Sequence, residues 1–365
     1  MIGPQNHDHF VQDIDPSNMA DNKPVIYLVG KSDSMVPEDC GFLGLISCRN
    51  MHAANLSISN SSTGVLLVNS SNCRIQDSTI SQAENGFLLL KSTGCIISGC
   101  LAADCNTGYG AAASSGCQFS NIRALNCSGE GFRAEGAQSL GLMECKMQST
   151  KSGIALHGCR LCRIQNSSTS QNKEEGILLS KSHNCSIMAN AALFNGRGIS
   201  LVGSNSCFLQ ANNASMNARD GIYLEQLSEG DVQNNTALRN GQGIYIQSSS
   251  NLHIMGNVLC ENSRSGLRMS GSKNCSITGN NIQDNQIAGA NLVDCSDNLL
   301  YHNIFANNGI QNAVDNGQNL WDNGPETGGN YWSDHEVSGN PAGAVREIPG
   351  GGVDRYPFQD PGGWL

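Results

Sequence analysis

A right-handed parallel β-helix is the fold this sequence predicts, and three observations carry the prediction. A glycine followed by an apolar residue returns every 22 or 23 positions: Gly64-Val65, Gly86-Phe87, Gly108-Tyr109, Gly131-Phe132, Gly153-Ile154, Gly176-Ile177, Gly198-Ile199, Gly221-Ile222, Gly243-Ile244, Gly266-Leu267 and Gly289-Ala290. A fixed period of this size is the mark of a solenoid. Between the glycines, short stretches alternate apolar and polar residues, the period of a strand with one buried face. No stretch of helical length carries a 3.6-residue apolar period, which leaves no room for the helix of a leucine-rich repeat.

One repeat shows how a coil is built. Gly176 opens a strand in which Ile177 and Leu179 face one way, and Cys185 and Ile187 repeat the alternation after Ser180 and Ser182. Asn190 and Asn195 follow, and Gly, Ser and Asn are turn-forming residues. Each coil therefore lays two or three strands on the previous coil, about 4.8 Å away, with right-handed crossovers. The expected solenoid has about 11–12 coils.

Ladders of identical residues support the stacking. Asn190, Asn212, Asn234, Asn257, Asn280 and Asn303 recur in register, as do Asn172, Asn195, Asn217, Asn240, Asn262 and Asn285. Asparagine at a corner tolerates left-handed backbone and bonds to the amide of the next coil. Cys73, Cys95, Cys117, Cys162, Cys185, Cys207 and Cys275 form a third ladder, expected to point inward and be buried. Cys40, Cys48, Cys159, Cys260 and Cys295 lie off it, near turns. Cys40, Cys159 and Cys260 are expected to be exposed and available for links between molecules. Adjacent coils are close enough for disulfides, Cys73/Cys95, Cys185/Cys207 and Cys105/Cys127 among them. A zinc site is not expected, because Cys159-x-x-Cys162 has no second pair.

The period divides the chain into residues 1–40, an N-terminal extension or cap with one strand at Val25 to Val29; 41–308, the parallel β-helix; and 309–365, a C-terminal cap. The last segment holds all 3 tryptophans, Trp321, Trp332 and Trp364. Solenoid ends are unpaired strand edges and need covering. A second reading makes Trp321, Tyr331 and Trp332 an aromatic platform for a sugar.

Composition narrows the function. Charged residues are 14% of the 365, and the net charge is -10 with no basic run, which argues against nucleic acid or an anionic membrane as partner. No apolar stretch approaches the roughly 20 residues of a membrane span. The first residues lack the regions of a signal peptide, and a mature extracellular chain whose leader has been removed is the expected state.

If the first and third residues after each glycine point inward, the second and fourth point out. Two polar clusters then emerge on the outward face: Arg133, Glu135 and His157; and Tyr223, Glu225, Tyr245, Gln247 and Arg268. Both clusters are candidate ligand-binding residues; aromatic faces pack on sugar rings while polar groups fix orientation, so the second, with its stacked tyrosines, is the one that suits a polysaccharide. Leu66, Val68, Leu88 and Leu90 form an outward apolar patch that needs a cover, either a terminal segment or another subunit. These four, with Cys40, Cys159 and Cys260, are the candidate assembly residues.

The repeats, with Lys23-Pro24-Val25-Ile26-Tyr27-Leu28-Val29 before them and Gly329-Asn330-Tyr331-Trp332-Ser333-Asp334 after them, resemble the NosD-type archaeal β-helix proteins. These belong to the class of carbohydrate-binding and sugar-hydrolysis repeats. The resemblance covers nearly the whole chain and implies the fold, but it implies no activity, because such repeats share no catalytic set. Many relatives continue into an Asp-rich, calcium-like stretch; here Glu336-Val337-Ser338-Gly339-Asn340-Pro341 departs from it, and calcium is not expected. His157, His183 and His253 are scattered, so neither copper nor any other cofactor is expected.

The leading expectation is a structural protein of an archaeal cell surface, a surface layer or sheath that self-assembles through edges and faces with disulfide cross-links. The alternative is a polysaccharide-binding protein, and behind it a lyase or hydrolase. Hydrolysis needs two carboxylates roughly 5 to 10 Å apart, whereas four coils separate Glu135 from Glu225.

Overall fold

The structure, a computed structural model, describes residues 7–365; of the expected N-terminal segment, residues 1–6 lie outside the described residues. The chain is nearly all β, a β-solenoid of about 13 turns. It divides into two compact units, residues 1–178 and 179–365.

In the first unit each coil contributes one long and two short strands. The long strands Phe42–Ile46, Thr63–Val68, Asn85–Leu90, Thr107–Ala112, Phe132–Glu135 and Ile154–His157 pair in parallel. The register repeats the sequence period: Leu67 lies opposite Leu89, and Gly110 opposite Arg133. Stacking starts before the glycine repeat becomes legible, because Lys23–Val29 pairs in parallel with Phe42–Ile46. Val65, Leu67, Phe87 and Leu89 are fully buried, as their odd positions after each glycine require.

The repeating glycine has a steric cause. A Cβ on Gly86 would lie 2.5 Å from the carbonyl oxygen of Gly108, and one on Gly108 would lie 2.6 Å from that of Gly131. The corner stacks too tightly for any side chain.

The second unit repeats the design with Arg197–Val202, Asp220–Glu225, Gln242–Gln247, Ser265–Ser270, Ala288–Val293 and Gln311–Asp315. Its corners are held by buried asparagines, and the structure corrects one member of the first ladder. Asn235, not Asn234, stands between Asn212 and Asn257. The ladder asparagines also do not take the left-handed backbone. That conformation falls on the residue just before each: Ala189, Ala211, Asn234, Gly256, Gly279 and His302 all have positive φ. The left-handed residue turns the chain outward, and the asparagine behind it faces the core. There its side chain supplies bonds the bent backbone cannot make: Asn212 accepts at Oδ1 from the Asn190 N–H at 3.0 Å and donates from Nδ2 to the Ile187 carbonyl at 2.8 Å.

Ser78, Cys100, Cys145 and Ser167 hold positions of the first unit equivalent to the Asn190 column. The Cys145 N–H donates to Ser167 Oγ at 3.1 Å. All 16 cysteines are free thiols and all are buried, so no disulfide closes a pair of coils. The expected exposure of Cys40, Cys159 and Cys260 is corrected: they are 0%, 0% and 5% exposed. Each turns its sulfur inward to a carbonyl, Cys40 to Phe42 at 3.0 Å and Cys159 to His157 at 3.5 Å. Burial pushes thiols up, Cys100 and Cys275 to about 11 and Cys145 to about 12.

At the C-terminal end, Trp332 stacks on Phe305 of the last coil with centroids 4.6 Å apart, and Trp321 lies 5.8 Å from the same ring. Both indoles are buried, which corrects their reading as a sugar platform. Each indole N–H donates to a buried carboxylate, Trp321 to Asp315 at 2.9 Å and Trp332 to Asp354 at 2.8 Å.

Candidate functional site

The apolar outward patch is not a free surface. Leu66, Val68, Leu88 and Leu90 form a buried cluster with Ile46, against which Phe10, Tyr27 and Phe42 pack. The Tyr27 hydroxyl donates to the Phe10 carbonyl at 2.6 Å, pinning the chain before the first strand over the sheet. The cover is the N-terminal segment.

Arg133, Glu135 and His157 do come together. Glu135 lies opposite His157 in register. Arg133 donates to Glu135, and its other end bonds Glu130 at 3.1 Å. Glu130, just before the repeat glycine, is an acidic neighbour that the outward columns omit. Burial, and then Arg133, hold His157 below its ordinary value. Arg133 is engaged by both glutamates, and the adjoining recess is only about 30 Å³.

The second cluster stands beside real space. Strands Asp220–Glu225, Gln242–Gln247 and Ser265–Ser270 place Tyr223, Tyr245 and Arg268 in one row, and Glu225 opposite Gln247. The tyrosine rings meet edge to face with centroids 5.4 Å apart. Tyr223 is not an open platform: it is 6% exposed, the Arg197 guanidinium covers it at 4.0 Å, and its hydroxyl donates to Gln247 Oε1 at 3.2 Å. Burial, and then Glu225, push it up to about 12. Tyr245 is half-buried, with the Arg268 guanidinium 5.2 Å from its ring centre.

A cavity of about 340 Å³ opens here, lined by Arg197, Arg219, Arg264, Arg268, Asp220 and Tyr245 among others. That volume is at the lower end of the roughly 300–1,000 Å³ of ligand pockets. Asp220 is buried and bonds Arg197 Nε at 3.0 Å. Its burial raises its pKa, with Arg197 the main opposing influence. The sequence reading missed Arg197, Arg219, Asp220 and Arg264. All four stand one or two residues before a repeat glycine, a column whose charged residues were the available signal. The reading counted only positions after the glycine, where strand alternation gives a direction; the turn before it has none.

Another recess of the same unit, about 390 Å³, is lined by Glu229, Asp231 and His253. Its acids are engaged, Asp231 with His253 at 3.0 Å and Glu229 with Ser206 at 3.1 Å. Among the described residues no group of three or more His, Cys, Asp or Glu side chains is placed to hold a metal, and no helix is long and apolar enough to cross a membrane.

Comparison with known families matches residues 43–182 to the right-handed beta helix region and residues 160–337 to the periplasmic copper-binding protein (NosD). No curated protein matches in sequence. Among solved structures, a double mutant of the periplasmic alginate epimerase AlgG superposes with a TM-score of 0.59 at 15% identity, covering 69% of this chain and 75% of that one. The A-module of the Azotobacter vinelandii mannuronan C-5 epimerase AlgE6 gives 0.57 at 14%, covering 80% and 87%. PfbA, a surface adhesin of Streptococcus pneumoniae, gives 0.53 at 10%, covering 77% and 82%. At these identities the likeness is one of fold. Period, coil register and family matches agree that this chain is a right-handed parallel β-helix protein.

Proposed function

We propose that this chain is a polysaccharide-binding β-helix protein of the NosD type that works outside the cytoplasm, and that it binds its ligand at the Tyr245–Arg268 face of the second unit. The observation that carries the reading is the half-buried Tyr245 ring, with Arg268 beside it, at the edge of a 340 Å³ cavity. An aromatic face with convergent polar groups is how a pocket grips a sugar ring. Structures of similar fold include epimerases of alginate and mannuronan and a surface adhesin, which supports a glycan as ligand and a periplasmic or surface location. Self-assembly into a surface layer loses two of the features that motivated it, since the apolar patch is covered by the chain's own N-terminal segment and the off-ladder cysteines are buried.

The test is titration calorimetry against a panel of neutral and acidic oligosaccharides. Tyr245→Ala is expected to weaken binding about tenfold or more, the loss of a stacked ring and its cation partner, with the circular dichroism unchanged. Equal binding by wild type and Tyr245→Ala would remove this face from the function.

A further inference from the structure

The cavity beside Tyr245 has a charge that the chain as a whole does not. The net charge of the protein is -10, yet four arginines and a single carboxylate, Asp220, line this one recess. Asp220 accounts for only one of the four, because its bond runs to Arg197. That pairing, together with the Tyr223 ring under the guanidinium, holds Arg197 in place. Among the described residues Arg219, Arg264 and Arg268 have no acidic partner at salt-bridge distance. Arg268 also keeps its Nε shielded from solvent with no hydrogen-bond acceptor. A guanidinium N–H removed from water without a partner costs free energy, and an anion entering the recess would supply the acceptor. Arg219 and Arg264 occupy the same turn position two coils apart, about 10 Å at the inter-coil rise, and both are exposed at the recess.

We propose that this recess is an anion socket that makes the protein select an acidic glycan, one bearing carboxylate or sulfate groups, over a neutral one. The inference rests on the polysaccharide reading above and names the class of ligand within it. Guanidinium forks bind carboxylate and sulfate through paired N–H donors. With Arg197 locked by Asp220, three arginines are left for the ligand: Arg268 against the sugar that stacks on Tyr245, and Arg219 and Arg264 for charges on neighbouring units. Those arginines also hold the ligand's negative charge against the repulsion of an acidic protein.

The experiment compares an oligogalacturonate with the same oligomer after reduction of its carboxylates to neutral hydroxymethyl groups, and with a sulfated neutral oligosaccharide, by titration calorimetry. The socket requires the acidic oligomers, uronate or sulfated, to bind about tenfold or more tightly than the reduced one, and their affinity to fall as salt rises from about 50 to about 300 mM. Uronate without sulfated binding assigns a carboxylate socket, and the reverse assigns a sulfate socket. The double variant Arg219→Ala/Arg264→Ala leaves Tyr245 and Arg268 in place. It is expected to lose most of the acidic preference and the salt dependence while keeping whatever affinity the reduced oligomer has. Equal binding of acidic and reduced oligomers overturns the socket and leaves the polysaccharide reading standing. Binding of none of the three overturns both.

Discussion

Replacing Asn235 by alanine is the sharpest test of how the coils of the second unit are held together. Asn235 is fully buried and its side chain makes four hydrogen bonds. Nδ2 donates to the Leu209 carbonyl and to Asn257 Oδ1, each at 3.0 Å, while Oδ1 accepts from the N–H and the Nδ2 of Asn212, each at 2.9 Å. Asn212 Nδ2 keeps its bond to Ile187, and Asn257 Oδ1 keeps the Asn235 N–H. The Asn212 N–H loses its acceptor. One buried orphaned donor costs about 1–3 kcal/mol and each other lost bond about 0.5–1.5, some of it recovered by relaxation, so Asn235→Ala should destabilise by about 2–4 kcal/mol. Its neighbour Asn234 is exposed and left-handed, and Asn234→Ala should cost only about 1–2 kcal/mol for a Cβ-bearing residue less tolerant of that backbone. The assay is the urea midpoint of each variant, with hydrogen exchange at the Asn212 amide to locate the opening. If Asn235→Ala costs no more than Asn234→Ala, or if protection of the Asn212 amide survives it, the account of the ladder is wrong.

Other consequences follow from burial. In the folded protein no cysteine should react quickly with a thiol reagent, and Cys40, Cys159 and Cys260 should be as slow as Cys95; labelling should appear together only on unfolding, and rapid modification of any one at neutral pH would contradict its position. Leu66→Lys with Leu88→Lys should detach the N-terminal segment from the sheet, which proteolysis near Phe10 would reveal, because a lysine there is trapped between Phe10 and the strand; unchanged protease resistance would show that the segment does not cover the patch. Burial raises the Asp354 carboxyl to about 6, above its unfolded value near 3.9, so the folded state binds this proton more tightly. Its contribution to stability is present in full below pH 4 and is lost as pH rises through 6, by up to about 3 kcal/mol. Melting temperature against pH should therefore fall over that window in the wild type and fall less in Asp354→Asn; parallel profiles would refute it.

The sequence by itself determined the coil, because its period is written in steric necessity. Only glycine fits where Gly86 and Gly108 pack carbonyl against Cα, and only a small or amide side chain can complete a bent backbone inside a core, so both repeat and can be read. The same alternation correctly sent Tyr245 and Arg268 outward and into register. Tertiary structure alone decided what lies over the surface. Whether Leu66 and Leu88 meet solvent depends on where Phe10 returns, and whether Tyr223 is open depends on Arg197 from the preceding coil. The cavity, too, is made by turn residues such as Arg219 and Arg264, whose directions follow from no strand period. Periodicity fixes an element's inside and outside; contacts between segments at different points of the period are set by packing in three dimensions.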